Sequence, residues 1–168
     1  YRRYIGAPEV SHDDRMLDFS MRQMDKADKT GIVHTVNDNT IFLTFDDWGS
    51  DDSINKLIYV LDKHKVNGTF FIIGKNIHNN PALLRSIAEH GNEIGSHTYY
   101  HTPMAIYEGE KLVSGTKEIN YREDIIESHR KIASIMGDIK LSNGRYALTK
   151  LLRPPTLAVS KSGCKDIL

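Results

Sequence analysis

An apolar run that stops on two adjacent carboxylates, Thr40-Ile-Phe-Leu-Thr-Phe-Asp46-Asp47-Trp48-Gly49, limits this chain more than any other stretch. Its almost unbroken apolar character predicts a strand covered on both faces, as in a parallel sheet. Neighbouring side chains on a regular strand point to opposite faces, so Asp46 and Asp47 can share a site only where the strand has ended. Gly49 and the Ser-Asp-Asp that follows signal a turn, which supplies that ending. Two aspartates in a loop are more often merely solvated. Loops at the ends of parallel strands, however, are where sites sit.

A second motif, His97-Thr-Tyr-Tyr-His101, follows the short apolar segment Glu93-Ile-Gly-Ser and precedes Pro103. Two histidines four apart lie on one face of a helical turn and can close on one cation. With one carboxylate they make a facial set with open positions, suited to zinc or another divalent first-row metal. The second carboxylate is then free to act as a base.

The stretch between the motifs reads as alternating strands and helices. A helix capped by Asp52 or Ser53 carries Ile54, Leu57, Ile58 and Leu61 on one face and ends at Asn67-Gly68. Thr69-Phe-Phe-Ile-Ile73 is an apolar strand, and Asn80-Pro81 opens a second helix carrying Leu83, Leu84, Ile87 and Ala88 before Gly91. Glu93-Ile-Gly-Ser is the next strand. Strand, helix, strand, helix, strand with short connections implies right-handed crossovers and a parallel sheet. Both motifs then fall at carboxyl ends of strands, on one rim.

The flanks are less informative. Residues 1 to 7 form a basic, aromatic lead-in, a helix is predicted from Ser11 to Gly31, and Ile32 to Val36 with His34 reads as a short hairpin or cap. Residues 102 to 115 read as loop, and a long helix is predicted over Thr116 to Met136, with Ile119, Arg122, Ile125, Ile126, His129, Ile132 and Met136 at helical spacing. His90 in a last helical turn and His129 beside an apolar stripe are read as structural. Gly137 to Thr149 is loop-like, and Lys150-Leu-Leu-Arg153 is a further short strand stopped by Pro154 and Pro155.

The chain has 168 residues, with 22 Lys plus Arg against 22 Asp plus Glu. That length is one domain, short for a closed (β/α) barrel of about 250 residues. Formal neutrality gives no single-sign field of the kind that nucleic acid or an anionic membrane recruits. Cys164 is the only cysteine, so packing and not an internal disulfide must hold the fold. No run reaches transmembrane length and no signal-peptide pattern is present, and the start at Tyr1 reads as a processed or excised end.

The Thr-Phe-Asp46-Asp47 motif, the His97-x-x-x-His101 motif and the later Arg153-Pro154-Pro155, in that order, resemble the first three signature motifs of the polysaccharide deacetylases, the NodB-homology group or carbohydrate esterase family 4. The resemblance runs from about Thr40 to Pro155. It implies an α/β fold of the partial or distorted (β/α) barrel type, parallel strands with outer helices, with residues 1–39 as lead-in and 40–168 as the amino-terminal part of the catalytic domain. It implies Asp46 as catalytic base, Asp47, His97 and His101 as ligands of a divalent metal, Zn2+ first with Co2+, Ni2+ or Mn2+ as alternatives, and Arg153 orienting Asp46. Trp48 and Pro154 are the expected substrate contacts, although a tryptophan at that rim is more often simply packed.

The expected reaction is metal-assisted removal of N-acetyl groups from an acetylated polysaccharide of N-acetylglucosamine type, peptidoglycan or chitin-like, outside the cell or at the cell wall. The family's later motifs, an Asp/Trp pair and a Leu-x-His whose histidine is the catalytic acid, have no counterpart in the 13 residues after Pro155. The expectation is therefore a domain truncated at its C-terminus, with an open sheet edge through which two copies could dimerise. The competing reading is an inactive module that keeps the metal or glycan site without turnover. A phosphoesterase on a similar barrel would need more basic rim residues than Arg153.

Overall fold

The computed structural model describes residues 42–115, 119–157 and 159, and the backbone of Arg15–Met16 and Phe19–Ser20. Within the stretch predicted as the first helix, strand β1 (Arg15–Met16) pairs antiparallel with β2 (Phe19–Ser20). The helix reading is corrected there. The apolar residues of that stretch follow helical spacing only in part, so the sequence pattern for a helix was weak. The rest of the stretch, the hairpin expected at 32–36 and Cys164 lie outside the described residues.

Among the described residues the central sheet has four parallel strands in the order β3-β4-β5-β8 and is not closed. Strand β3 (Thr44–Asp46) pairs with β4 (Thr69–Ile72), β4 with β5 (Glu93–Ser96), and β5 with β8 (Leu148–Leu152). Within the described residues the expected strand over 40 to 45 begins at Thr44, takes in Asp46, and has β4 as its one neighbour strand. Phe42 and Leu43 are 40% and 39% exposed. An apolar run at an edge has only one neighbour strand to shield it, which its composition could not disclose.

Helix α1 (Asp51–His64) follows β3, and α2 (Pro81–Glu89) follows a 3₁₀ segment, Gly74–Asn79. Ser50, not Asp52 or Ser53, caps α1 by accepting from the Ser53 amide, and the helix stops at Lys65 in the left-handed region. Asn80 caps α2 with Pro81 in its first turn, as the sequence predicts. Ile54, Ile58, Leu61, Leu83, Leu84, Ile87 and Ala88 are buried against Phe70, Ile72 and Ile94 of the central strands. These helices therefore cover one face of the sheet.

Residues expected as loop form a hairpin, β6 (Ala105–Glu108) and β7 (Lys111–Ser114), closed by Gly109 at φ 63 and Glu110. A two-residue turn with glycine first is a strong hairpin former. Helix α3 (Tyr121–Met136) then starts later than predicted, at the Asn120 cap. Its buried face is Tyr121, Asp124, Ser128, Ile132 and Met136, so the predicted stripe is displaced around the helix. Ile125, Ile126 and His129 instead line a cavity of about 440 Å³ with Leu151 and Leu152. Among the described residues no helix is long and apolar enough to cross a membrane.

Candidate metal centre

The carboxyl ends of β3, β5 and β8 meet on one rim. Asp46 is the last residue of β3, and at Asp47 the backbone turns to φ 70, which breaks the alternation and brings both carboxylates to the same side. His97 follows β5 immediately and is 3% exposed. His101 lies four residues on at φ 58. Arg153 leaves β8 with its amide donating to the Ser96 carbonyl at 2.9 Å.

Six non-glycine residues have positive φ among those described, and five of them, Asp47, Thr98, His101, Thr156 and Leu157, cluster at this rim. Backbone in that region is held only where the surroundings over-determine it.

Asp47, His97 and His101 present one donor atom each to a common point. Asp47 Oδ1 lies 3.5 Å from His97 Nε2 and 3.5 Å from His101 Nε2, and the two Nε2 atoms are 3.1 Å apart. Ligands of one tetrahedral zinc, at about 2.0–2.2 Å from it, stand roughly 3.3–3.6 Å from one another. The donor set therefore fits a first-row divalent ion in both chemistry and spacing.

The tautomer fits as well. His97 Nδ1 lies 2.7 Å from the Arg153 carbonyl, to which it can only donate, so a neutral ring carries its lone pair on Nε2. Burial, the largest influence, pulls the His97 imidazole below its ordinary range, against the opposing pull of the Arg153 carbonyl and of Asp46. A neutral imidazole is what a metal requires.

Asp46 is held beside this set. Its Oδ1 accepts from Arg153 Nη1 at 2.6 Å, and the same nitrogen reaches Thr44 Oγ1 at 3.1 Å. The guanidinium lies over the Phe71 ring, 4.2 Å from its centroid. Phe71 is paired with Asp46 on one side and with Gly95 on the other. A Cβ on Gly95 would stand 2.8 Å from the Phe71 ring, so only glycine leaves the ring its place. Thr44, Phe71 and Gly95 were not singled out in the sequence, although period-two counting from Asp46 selects Thr44.

Of the expected substrate contacts, Trp48 is partly buried and packs against the core. Pro154 is partly exposed at the rim, its carbonyl accepting from Leu157. His90 lies before the amino end of β5, at the opposite end of that strand from His97, and is paired with Asp62 at 2.5 Å, while His129 is a half-buried residue of α3 itself.

Fold and rim together define an α/β protein with a metal-type donor set, and a carboxylate beside it, at the carboxyl ends of its parallel strands. The polysaccharide deacetylase family profile matches residues 34–166, and the chain belongs to that family. It is 31% identical over 97 residues to a chitooligosaccharide deacetylase of Rhizobium leguminosarum bv. trifolii, covering 58% of this chain and 44% of that protein. It is 32% identical over 119 residues to a peptidoglycan-N-acetylglucosamine deacetylase of Bacillus cereus, covering 71% and 37% respectively. The chain thus matches less than half the length of either relative. The solved peptidoglycan deacetylase PdaC of Bacillus subtilis superposes with a TM-score of 0.59 at 23% identity, over 79% of this chain and 57% of that one, a likeness of fold.

Proposed function

We propose that this chain carries the metal-binding and base-bearing part of a polysaccharide deacetylase that hydrolyses N-acetyl groups on a polymer of N-acetylglucosamine type, peptidoglycan or chitin-like. The observation that carries the proposal is the triangle of Asp47, His97 and His101 donors, 3.1 to 3.5 Å on a side, with Asp46 fixed next to it. Membership of the family and the relatives' substrates, chitooligosaccharide and peptidoglycan, support the reaction class.

In this reading Asp47, His97 and His101 hold the ion, Zn2+ before Co2+, Ni2+ or Mn2+. Bound there, a divalent ion supplies Lewis acidity to the amide carbonyl and to water. Asp46 takes the proton from the attacking water, and Arg153 fixes the rotamer from which it does so. Pro154 shapes the rim where the glycan lies, while Trp48, next to Asp47 in the chain, packs against the core. The relatives' peptidoglycan substrate supports a site of action outside the cell or at the cell wall. The exposed Phe42 and Leu43 beside β3, an edge strand among the described residues, support association of two copies through that edge, which a solution mass would read.

Acetate release from an acetylated chito-oligomer, abolished by chelator and restored by Zn2+, tests the proposal. Release that ignores chelator would remove the metal from it. A metal-loaded chain that binds the oligomer and releases nothing would make it the non-catalytic module instead.

A further inference from the structure

The segment bearing both histidines is gripped from outside by one buried carboxylate. Residues 97–101 have no regular structure and place Thr98 (φ 64) and His101 (φ 58) in the left-handed region. Even so, each of the five amides has an acceptor, as buried backbone requires. The His97 amide donates to the Ile72 carbonyl at 2.9 Å, that of Thr98 to Ser96 Oγ at 3.1 Å, and that of His101 to Thr98 Oγ1 at 3.1 Å. The two between them, of Tyr99 and Tyr100, both end on Asp124, at 3.2 Å to Oδ2 and 3.0 Å to Oδ1.

Asp124 stands in the first turn of α3 and is 5% exposed. Burying a carboxylate is costly unless it is hydrogen-bonded, and charge-assisted bonds to amides are the strong kind. An acid in a first turn also suits the helix dipole, but an exposed one would serve that purpose equally. One turn further along α3, the fully buried Ser128 lies 2.8 Å from Ser96 Oγ, the atom that holds the Thr98 amide. The helix therefore holds the segment at two points, and Asp124 alone accounts for two of its five amides.

We propose that Asp124 is a positioning residue for the metal centre. By fixing the amides of Tyr99 and Tyr100 it sets the span between His97 and His101, so that their Nε2 atoms converge. The inference rests on the reading of Asp47, His97 and His101 as metal ligands. His97 has its own anchors in β5 and the Arg153 carbonyl, so loss of Asp124 falls on His101. Two orphaned amides would then lie between the ligands, and the left-handed residues would lose what constrains them.

The test is Zn2+ affinity of the metal-free full chain, measured by competition with a chromophoric chelator, together with the visible spectrum of the Co2+ form. Asp124→Asn keeps the shape of the side chain but turns an amino group toward one amide. It should weaken Zn2+ by about 10- to 100-fold and change the Co2+ bands while circular dichroism stays that of the folded chain. Asp124→Glu keeps two acceptors on a longer arm and should recover part of the affinity; it carries the same comparison if the Asn variant does not fold. Ile132→Val, which trims a buried methyl from the same helix, is the control for general loosening. Affinity in Asp124→Asn equal to wild type, or a loss matched by Ile132→Val at the same drop in Tm, overturns the proposal and leaves the metal centre standing. Wild-type chain that takes up no Zn2+ at all overturns the metal centre itself, and this inference with it.

Discussion

The two ends of the same parallel sheet solve the same backbone problem differently. At the amino ends of β5 and β8 the chain turns through Gly91 (φ 83) and Gly144 (φ 81), residues to which the left-handed region costs nothing. At the carboxyl ends the same region is occupied by Asp47, Thr98, His101, Thr156 and Leu157. Each such residue is disfavoured by about 1–3 kcal/mol. Glycine would remove that cost, but it would also remove the carboxylate of Asp47 and the imidazole of His101. Both ends also bury a polar side chain that satisfies backbone. Asn92, fully buried, accepts from the Gly68 amide and donates to the Ile87 carbonyl, tying together two turns of no proposed chemistry. Asp124 does the equivalent for the segment between two histidines. Lys65 (φ 54), between α1 and β4, is the exception on the amino side among the described residues, and only at the carboxyl end do the left-handed residues include side chains with a proposed chemistry.

Substitutions at the two ends should therefore separate metal binding from stability. The largest effect is expected at Asp47, whose side chain is 57% exposed. Asp47→Ala should lower Zn2+ affinity by more than the roughly 100-fold that loss of an outer partner costs, with Tm almost unchanged. Zn2+ affinity left intact would break the contrast at once. Arg153→Ala comes next: with Asp46 free to rotate, acetate release should fall by about 100-fold while metal content holds. An unchanged rate would take Arg153 out of the mechanism.

At the amino end the expectation reverses. Asn92→Ala leaves a buried amide and a carbonyl without partners and should cost about 1–3 kcal/mol by denaturant unfolding, with Zn2+ affinity unaltered. Gly91→Ala should cost about 1–2 kcal/mol, because an L side chain there is strained and its Cβ would meet Asn67 Nδ2 at 2.9 Å. Loss of metal in either variant would show that the two ends are coupled.

What the sequence disclosed follows the same division. β4, α2 and β5 were legible because their signals are local: an apolar run, an Asn-Pro cap, a helical stripe. Asp46, Asp47, His97, His101 and Arg153 were legible because residue type and order carry the resemblance, and the structure brings all five to one rim. The edge position of β3 was not, since an apolar run reads the same whether one strand or two will flank it. The face of α3 was misplaced for a related reason. Its buried positions include Asp124 and Ser128, which a hydrophobicity pattern assigns to solvent, whereas Ile125 and Ile126 line a partly open cavity. A polar residue buried to satisfy distant backbone has no local signature, so Asp124 could be found only from coordinates.

The smallest expected effect is a pH dependence confined to the amino end. Glu93 opens β5 with its side chain 12% exposed, and burial raises its carboxyl pKa above the ordinary value, opposed by the Thr69 hydroxyl and Arg145. The folded chain thus holds this proton more tightly than the unfolded one does. Its contribution to stability is complete below the ordinary glutamate range and is lost as pH rises through the raised value. Glu93→Gln removes the titration while keeping an acceptor for Thr69, so unfolding free energies of wild type and variant should draw apart as pH climbs through that window, wild type falling. Parallel curves would mean that Arg145 and Thr69 fully offset the burial. Zn2+ affinity, measured at a single pH above the window, should be the same in both chains, because the bonds found to residues 97–101 among the described residues include those from β4, Ser96, Asp124 and Arg153 and none from Glu93, Thr69 or Arg145.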